Sequence, residues 1–400
     1  MRVQHDPPIH LTYCLNVHAG EAWSENFAAI RDKTLRVRDA VAGGEPFGLG
    51  LRLSARASAE LNHPDVLEEL RLFLDAERMY VFTVNAFPYG QFHGTKVKED
   101  VYSPDWRSLR RLEYTTRVAD VLAGLLPDGV PGSISTVPGS YKLWIRAQED
   151  LVSMVQMMAD AAAHLSFLRD QYGKQICLAL EPEPDCYLGS ADETLAFCAG
   201  NLLSLGTEHL MADRGLDRRK AERILRRHVG VCFDTAHMAV EFEDLAAALG
   251  RFRSAGVPLA KVHLSSALRL KPTPQTLRRL EEFSEEVYLH QVKARGAGGR
   301  IRGYPDLPAA LADAGAAAGD EEWRVHFHVP LFFEEYQGLA STTSLFTDEF
   351  RAALTGGITQ QIEMETYTFG VLPQPLRADD IAEGIAQEYR WVLRRLFGRE

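Results

Sequence analysis

Residues 175–184 read Gln-Ile-Cys-Leu-Ala-Leu-Glu-Pro-Glu-Pro, and this stretch decides how the rest of the chain is read. The apolar run from Ile176 to Leu180 does not alternate with polar residues. A strand of that kind is covered on both faces, as in parallel sheets clothed by helices. Proline cannot donate to a sheet ladder, so Pro182 and Pro184 stop the strand and leave Glu181 at its carboxyl end.

The same alternation of strand and helix extends in both directions. Toward the N-terminus, strands are expected at Leu11–Val17, Phe47–Leu53, Met79–Ala86 and Gly132–Val137. Helices are expected between them at Glu25–Val41, Pro64–Glu77, Ser108–Leu126 and Asp150–Tyr172. Toward the C-terminus come helices within Ala191–Arg227, a strand at Val229–Phe233, a helix at Asp244–Ala255 and a strand at Ala260–Leu264. Seven such units with short connections predict a parallel sheet with crossover helices.

Closing that sheet into a (β/α)8 (TIM) barrel needs an eighth strand. Trp323–Phe333 and Thr359–Phe369 compete for the position, and the second is preferred. A long insertion, about residues 265–357, then lies between strands seven and eight. Its Gly/Ala/Arg-rich part, ARGAGGRIRGYPDLPAALADAGAAAGD, is expected to be a mobile loop. Barrels of this class run from about 200 to over 400 residues, so a single domain over residues 1–400 accounts for the length.

Composition narrows the classes. The chain is 46% hydrophobic and 25% charged, as in ordinary globular proteins. No apolar run approaches the roughly 18 residues of a membrane span, and the N-terminus does not read as a signal peptide. Cys14, Cys177, Cys186, Cys198 and Cys232 form no CxxC pair and read as reduced, which gives a cytoplasmic expectation. A net charge of −11 weighs against nucleic acid and anionic membrane as partners.

Metal-ligating residue types recur at the strand ends. Strand five ends at Glu181 and Glu183; strand six ends in Phe233-Asp234-Thr235-Ala236-His237; strand seven carries His263. Glu363 and Glu365 share a face of strand eight, as His326 and His328 do if HFHVP is extended. Asn16 and His18 follow strand one, and Asn85 ends strand three. Each has a bland reading: a solvated strand stop, an N-cap at Asp234, a core histidine, an edge strand or an exposed acidic face. Recurrence at four consecutive strand ends points instead to one locus, where crowded carboxylates repel unless a divalent cation joins them. Carboxylate and imidazole without thiolate suit Mn, Co, Zn, Fe or Mg. Cys232 is read as a core residue.

The order Glu-Pro-Glu-Pro, Asp-Thr-x-His, Val-His-x-Ser, His-x-His-Val-Pro and Glu-x-Glu-Thr resembles the xylose isomerase-like barrel superfamily. That group contains sugar isomerases, ketose 3-epimerases and endonuclease-IV-type nucleases. Within it, HLTYCLNVHAGEAW, KVKEDVYSPDW, LHQV with YPDLPAAL, HFHVP and QIEMETYTFGVLP most resemble the metabolite traffic protein EboE family. The resemblance implies metal ligands at Glu181, Asp234, His263 and Glu365 or Glu363. It also implies a substrate or second-metal role for His237. His326 and His328 stand where related enzymes carry an acid-containing element holding further metals, so one ion is expected and two or three stay open.

The activity implied is an isomerase or epimerase of a sugar or cyclitol. Glu181 and the strand-eight glutamate (Glu365 or Glu363) would move a proton next to a carbonyl, with His237 assisting. Asn16, His18, Asn85 and Glu183 would bind substrate at the pocket wall. Arg295, Arg300 and Arg302 would either clamp an anionic group or belong to a solvated loop. The rivals are hydrolysis of a small phosphorylated substrate, as in the related nucleases, and a non-catalytic metabolite carrier. The expected partner is a small polyhydroxylated or phosphorylated metabolite, with homo-oligomerisation left open.

Overall fold

The computed structural model describes residues 1–88, 98–284, 288–373, 377 and 379–399. Lys96 and Val97 of the KVKEDVYSPDW segment lie outside the described residues. Eight strands run parallel: β1 (Pro8–Tyr13), β2 (Phe47–Arg52), β3 (Met79–Asn85), β4 (Gly132–Thr136), β5 (Ile176–Leu180), β6 (Val229–Asp234), β7 (Leu259–Leu264) and β8 (Gln361–Met364). Their order in the sheet is β1-β8-β7-β6-β5-β4-β3-β2, with Arg2–His5 antiparallel beside β1 as a ninth strand. The strand expected at Leu11–Val17 begins earlier, at Pro8, and Leu15–Val17 is a 3₁₀ turn.

The sheet is nearly closed. Cys14, just after β1, bridges Gly50 of β2 in parallel fashion, and Thr12 Oγ1 donates to the Gly48 carbonyl at 3.0 Å. Glycine is required at this seam. A Cβ on Gly48 would stand 2.9 Å from the Met1 nitrogen, and one on Gly50 would stand 2.9 Å from the Tyr13 carbonyl and overlap Glu363 Oε1.

Inside the curled sheet, residues two apart on a strand stack in layers. In the lowest layer, Ser133 Oγ donates to Gln361 Oε1 at 2.6 Å. One layer up, Lys261 Nζ donates to Glu363 Oε2 at 2.5 Å and to Thr83 Oγ1 at 3.0 Å. Glu365, just past β8, tops the stack.

Helices Leu109–Leu125, Gln148–Tyr172, Arg218–His228, Leu245–Ser254 and Ile381–Phe397 accompany the sheet and contribute buried apolar faces to one large core. Gln148–Tyr172 corrects the expectation about apolar runs: by length and composition it is apolar enough to cross a membrane. Half of its most apolar window is buried inside the fold, including Met154, Val155 and Met158.

Between β7 and β8 the chain builds a second, six-stranded antiparallel sheet. Its order is Ile301–Tyr304, Val292–Gly296, Asp320–Val325, Leu268–Leu270, Leu339–Ser341 and Glu335–Tyr336. The stretch expected to be a mobile loop is instead structured: it begins as a hairpin, pairing Val292 with Tyr304 and Arg295 with Ile301, and continues as the helix Leu307–Ala312 and a 3₁₀ segment at Ala314–Gly319. Gly298 and Gly299 take φ of 78° and 81° at its turn, a conformation open to glycine. Arg295 and Arg302 are engaged on this sheet, at 2.7 Å from Glu322 and 2.7 Å from Asp320.

Candidate metal centre

Two clusters meet above the parallel sheet. In the first, Glu181, Asp234, His263 and Glu365 are all buried, and one ligand atom of each lies within 4.8 Å of the others. Strand ends explain the convergence: Glu181 follows β5, Asp234 ends β6, His263 pairs in register with both Asp234 and Glu363, and Glu365 follows β8. His263 Nδ1 is 2.8 Å from Glu181 Oε1, 3.2 Å from Glu365 Oε2 and 3.8 Å from Asp234 Oδ2.

The supports of this cluster are polar and specific. Asn16 Nδ2 and Asn85 Nδ2 donate to Glu365 Oε1 at 2.8 and 3.0 Å. Asp234 Oδ1 caps the helix Thr235–Val240, accepting from the His237 amide at 2.8 Å and from Ser265 Oγ at 2.7 Å. The capping reading of Asp234 and the ligand reading are therefore compatible, because they use different oxygens. Glu181 Oε2 and Asp234 Oδ2 are buried without a hydrogen-bond partner among the described residues. Orphaned buried carboxylate oxygens are costly unless a cation takes them up, so this donor set fits a divalent ion.

Glu363 and Glu365 separate clearly. Glu363 lies one layer deeper, bound at Oε2 by Lys261 and, at 2.8 Å, by His263 Nε2. Burial pushes its carboxyl up, but the Lys261 ammonium and the His263 ring together hold it below the usual range. Only Glu365 joins the cluster and lines the cavity above it. For Glu365 burial likewise opposes ionisation, and the adjoining His263 ring pulls its carboxyl below the ordinary range.

The second cluster is His237, His326 and His328, with one ring nitrogen of each within 4.8 Å of the others. Each Nδ1 is tied to an acceptor: His237 to the Pro182 carbonyl at 3.0 Å, His326 to Gln291 Oε1 at 2.7 Å, and His328 to the Glu365 carbonyl at 2.8 Å. Such acceptors require Nδ1–H, which leaves the Nε2 lone pair of each ring free when that ring is neutral. The His326 and His328 Nε2 atoms then face each other at 3.3 Å. Burial, and next the neighbouring rings of His237 and His328, hold the His326 imidazolium well below its usual pKa. Two lone pairs in contact repel, and a shared cation removes the conflict. His237 links the clusters, its Nε2 being 3.8 Å from Asp234 Oδ1.

A cavity opens on both clusters, lined by Asn16, Phe87, Val101, Tyr102, Glu181, Glu183, His237, Tyr288, Leu289, His326, Glu365 and Tyr367. Burial raises the Glu183 carboxyl to about 7 against the weaker pull of His237, and its Oε1 accepts from the Tyr102 hydroxyl at 2.5 Å. His18, expected at the wall, stands elsewhere: its Nε2 meets the Tyr13 hydroxyl at 3.0 Å. Asn85 reaches the site through Glu365, and the arginines of the Gly/Ala/Arg-rich stretch do not line the cavity.

Several participants carried no expectation. Cys232 is fully buried, as expected of a core residue, and, two residues before Asp234 and on the same face, it also groups with Glu181 and His263. Lys261 shares its face with His263 by the same spacing, and a lysine in an apolar strand was the available signal. Gln291 and Tyr102 had no such signal, since their roles arise from contacts across the two sheets.

No protein-family model and no curated protein matches the chain. Among solved structures it is similar to the probable 3-DHS dehydratase AsbF from Bacillus anthracis, with 12% identity over 96% of this chain and 98% of that chain, and TM-score 0.46. It is similar to the IolI protein with a bound zinc atom, with 12% identity, coverage of 97% and 99%, and TM-score 0.44. A xylose isomerase domain protein from Planctomyces limnophilus shows 12% identity, coverage of 91% and 93%, and TM-score 0.47. Similarity of this degree carries no reading of the chemistry.

Proposed function

We propose that the protein is a metal-dependent enzyme on a single-domain (β/α)8 barrel of the xylose isomerase-like kind, with the second sheet as an insertion between β7 and β8. It would act as an isomerase or epimerase on a small polyhydroxylated carbonyl compound of sugar or cyclitol type. The observation that carries this reading is the buried set Glu181, Asp234, His263 and Glu365 with its two orphaned carboxylate oxygens. Those four side chains would hold the first ion, and His237, His326 and His328 a second. Bound there, a divalent cation supplies Lewis acidity toward neighbouring carbonyl and hydroxyl oxygens of a substrate.

The chain's own groups have separate tasks. Glu181 takes the proton next to the carbonyl; Glu365, oriented through Oε1 by Asn16 and Asn85, returns one. Glu183, at the cavity wall, holds a substrate hydroxyl. Tyr102, Tyr288, Tyr367 and Phe87 shield the reacting carbon from water and offer faces to sugar C–H groups. A small metabolite as partner agrees with the cavity's polar and aromatic lining and with the EboE resemblance.

The test has two parts. Purified protein should contain divalent metal, and it should exchange a carbon-bound hydrogen of a bound polyol ketone in deuterium oxide. Glu181→Gln should abolish that exchange with the fold intact; unchanged exchange removes Glu181 from the mechanism. The three-histidine cluster favours a second reading, two-metal hydrolysis of a small phosphate ester, for which phosphate release is the readout.

A further inference from the structure

Of the three acceptors that fix the second cluster, two are backbone carbonyls and cannot be changed by substitution. The third, Gln291 Oε1, is a side chain, and it enters from the second sheet immediately before the strand Val292–Gly296. Its amide cannot rotate freely. Gln291 Nε2 donates to the Pro184 carbonyl at 3.1 Å and reaches the Tyr102 hydroxyl at 3.3 Å. A carbonyl accepts only, so an amide turned the other way would set oxygen against oxygen. The Gln291 backbone also accepts from the His326 amide at 2.8 Å, so residue and ring are held as a unit.

We infer that Gln291 is the positioning residue of the second ion, and that it acts by fixing His326 in the Nδ1–H tautomer. The chain of contacts runs from the barrel loop after β5 (Pro184), through the Gln291 amide, to the His326 ring. Without the Oε1 acceptor the ring gains by moving its proton to Nε2. There it would donate to His328 Nε2, only 3.3 Å away, and the cluster would close on itself as a histidine–histidine hydrogen bond. The second ion therefore depends on a neutral amide, unlike the first, whose His263 leans on the charged Glu363–Lys261 pair. This inference rests on the reading of the three histidines as an ion site.

The experiment is long-range ¹H–¹⁵N NMR of the histidine rings in metal-free protein, paired with Co²⁺ titration followed by visible absorption. The native protein should show His326 as Nδ1–H and take two ions. In Gln291→Leu the His326 pattern should change to Nε2–H, and affinity for the second ion should fall about 10–100-fold while the first is unaffected. Tyr102→Phe, which leaves the Pro184 contact in place, should keep the native tautomer. An Nε2–H His326 in the native protein overturns the inference, and needs no variant to fold. Retention of the second ion in Gln291→Leu overturns the inference alone; a native protein that takes no second ion overturns it together with the reading beneath it.

Discussion

The acid–imidazole cluster and the three-histidine cluster adjoin each other, yet different parts of the chain build them. The first is assembled almost wholly from the ends of β5 to β8, so its geometry is set by sheet register. It contributes three carboxylates and one imidazole, and a buried Lys261–Glu363 pair stands beneath it. The second takes two of its three histidines from the segment that follows the Asp320–Val325 strand, and it carries no carboxylate of its own. Its supports are carbonyls and one amide. A parallel sheet thus supplies carboxylates and precision at its strand ends, while the segment after the Asp320–Val325 strand adds imidazoles. On ligand type, the first site suits hard or borderline ions such as Mg, Mn or Co, and the second suits Zn or Co.

The sharpest way to break that contrast is Asp234→Ala. It removes an orphaned oxygen and a cap together, so first-ion affinity should fall about a hundredfold or more by isothermal titration. His328→Ala should instead lower ion stoichiometry from two to one and leave the first affinity unchanged. Equal effects of the two substitutions on both ions would erase the distinction.

Stability gives the next largest difference. Lys261→Met leaves Glu363 buried without its counter-charge and should cost about 3–5 kcal/mol in denaturant unfolding. Gln291→Leu breaks only neutral hydrogen bonds and should cost about 1–3 kcal/mol. A reversed order would show that the ion pair does not support the first cluster.

A smaller effect concerns Glu388, which sits behind both clusters on the last helix. Its Oε1 accepts from the Leu331 amide at 2.9 Å and from Thr366 Oγ1 at 2.7 Å, next to the His328 and Glu365 segments. Burial raises its carboxyl to about 7, against the lowering pull of those donors. Between the ordinary carboxylate value and 7 the folded state binds more protons than the unfolded one. Stability is therefore fully present at low pH and falls as pH rises through that window. Glu388→Gln should flatten the slope, worth at most about 3 kcal/mol across it, in unfolding curves recorded from pH 5 to 8. An unaltered slope would mean that another group sets it.

Much of the parallel sheet was legible in the residues themselves. Uninterrupted apolar runs at β3, β5 and β6 mark strands covered on both faces, and prolines 182 and 184 mark where one of them stops. Strand ends in a parallel sheet lie together, so Glu181, Asp234 and His263 were legible as neighbours before any coordinate. The mobile-loop reading of the Gly/Ala/Arg-rich stretch failed because composition reports turn-forming residues but not partners. The strand Asp320–Val325 pairs with Val292–Gly296 and draws the start of that stretch into sheet.

The amino-acid order alone determined that acids and imidazoles recur at consecutive strand ends, because β/α periodicity and proline stops act within a few residues. Tertiary structure alone brings Glu365 rather than Glu363 into the acid–imidazole cluster, since the two share a face and differ only in depth, and the register of β8 sets Glu363 beside Lys261. It also decided which ring nitrogen of His326 faces His328. That choice belongs to Gln291 and Pro184, 35 and 142 residues away along the chain, whose hydrogen bonds exist only once the two sheets have packed.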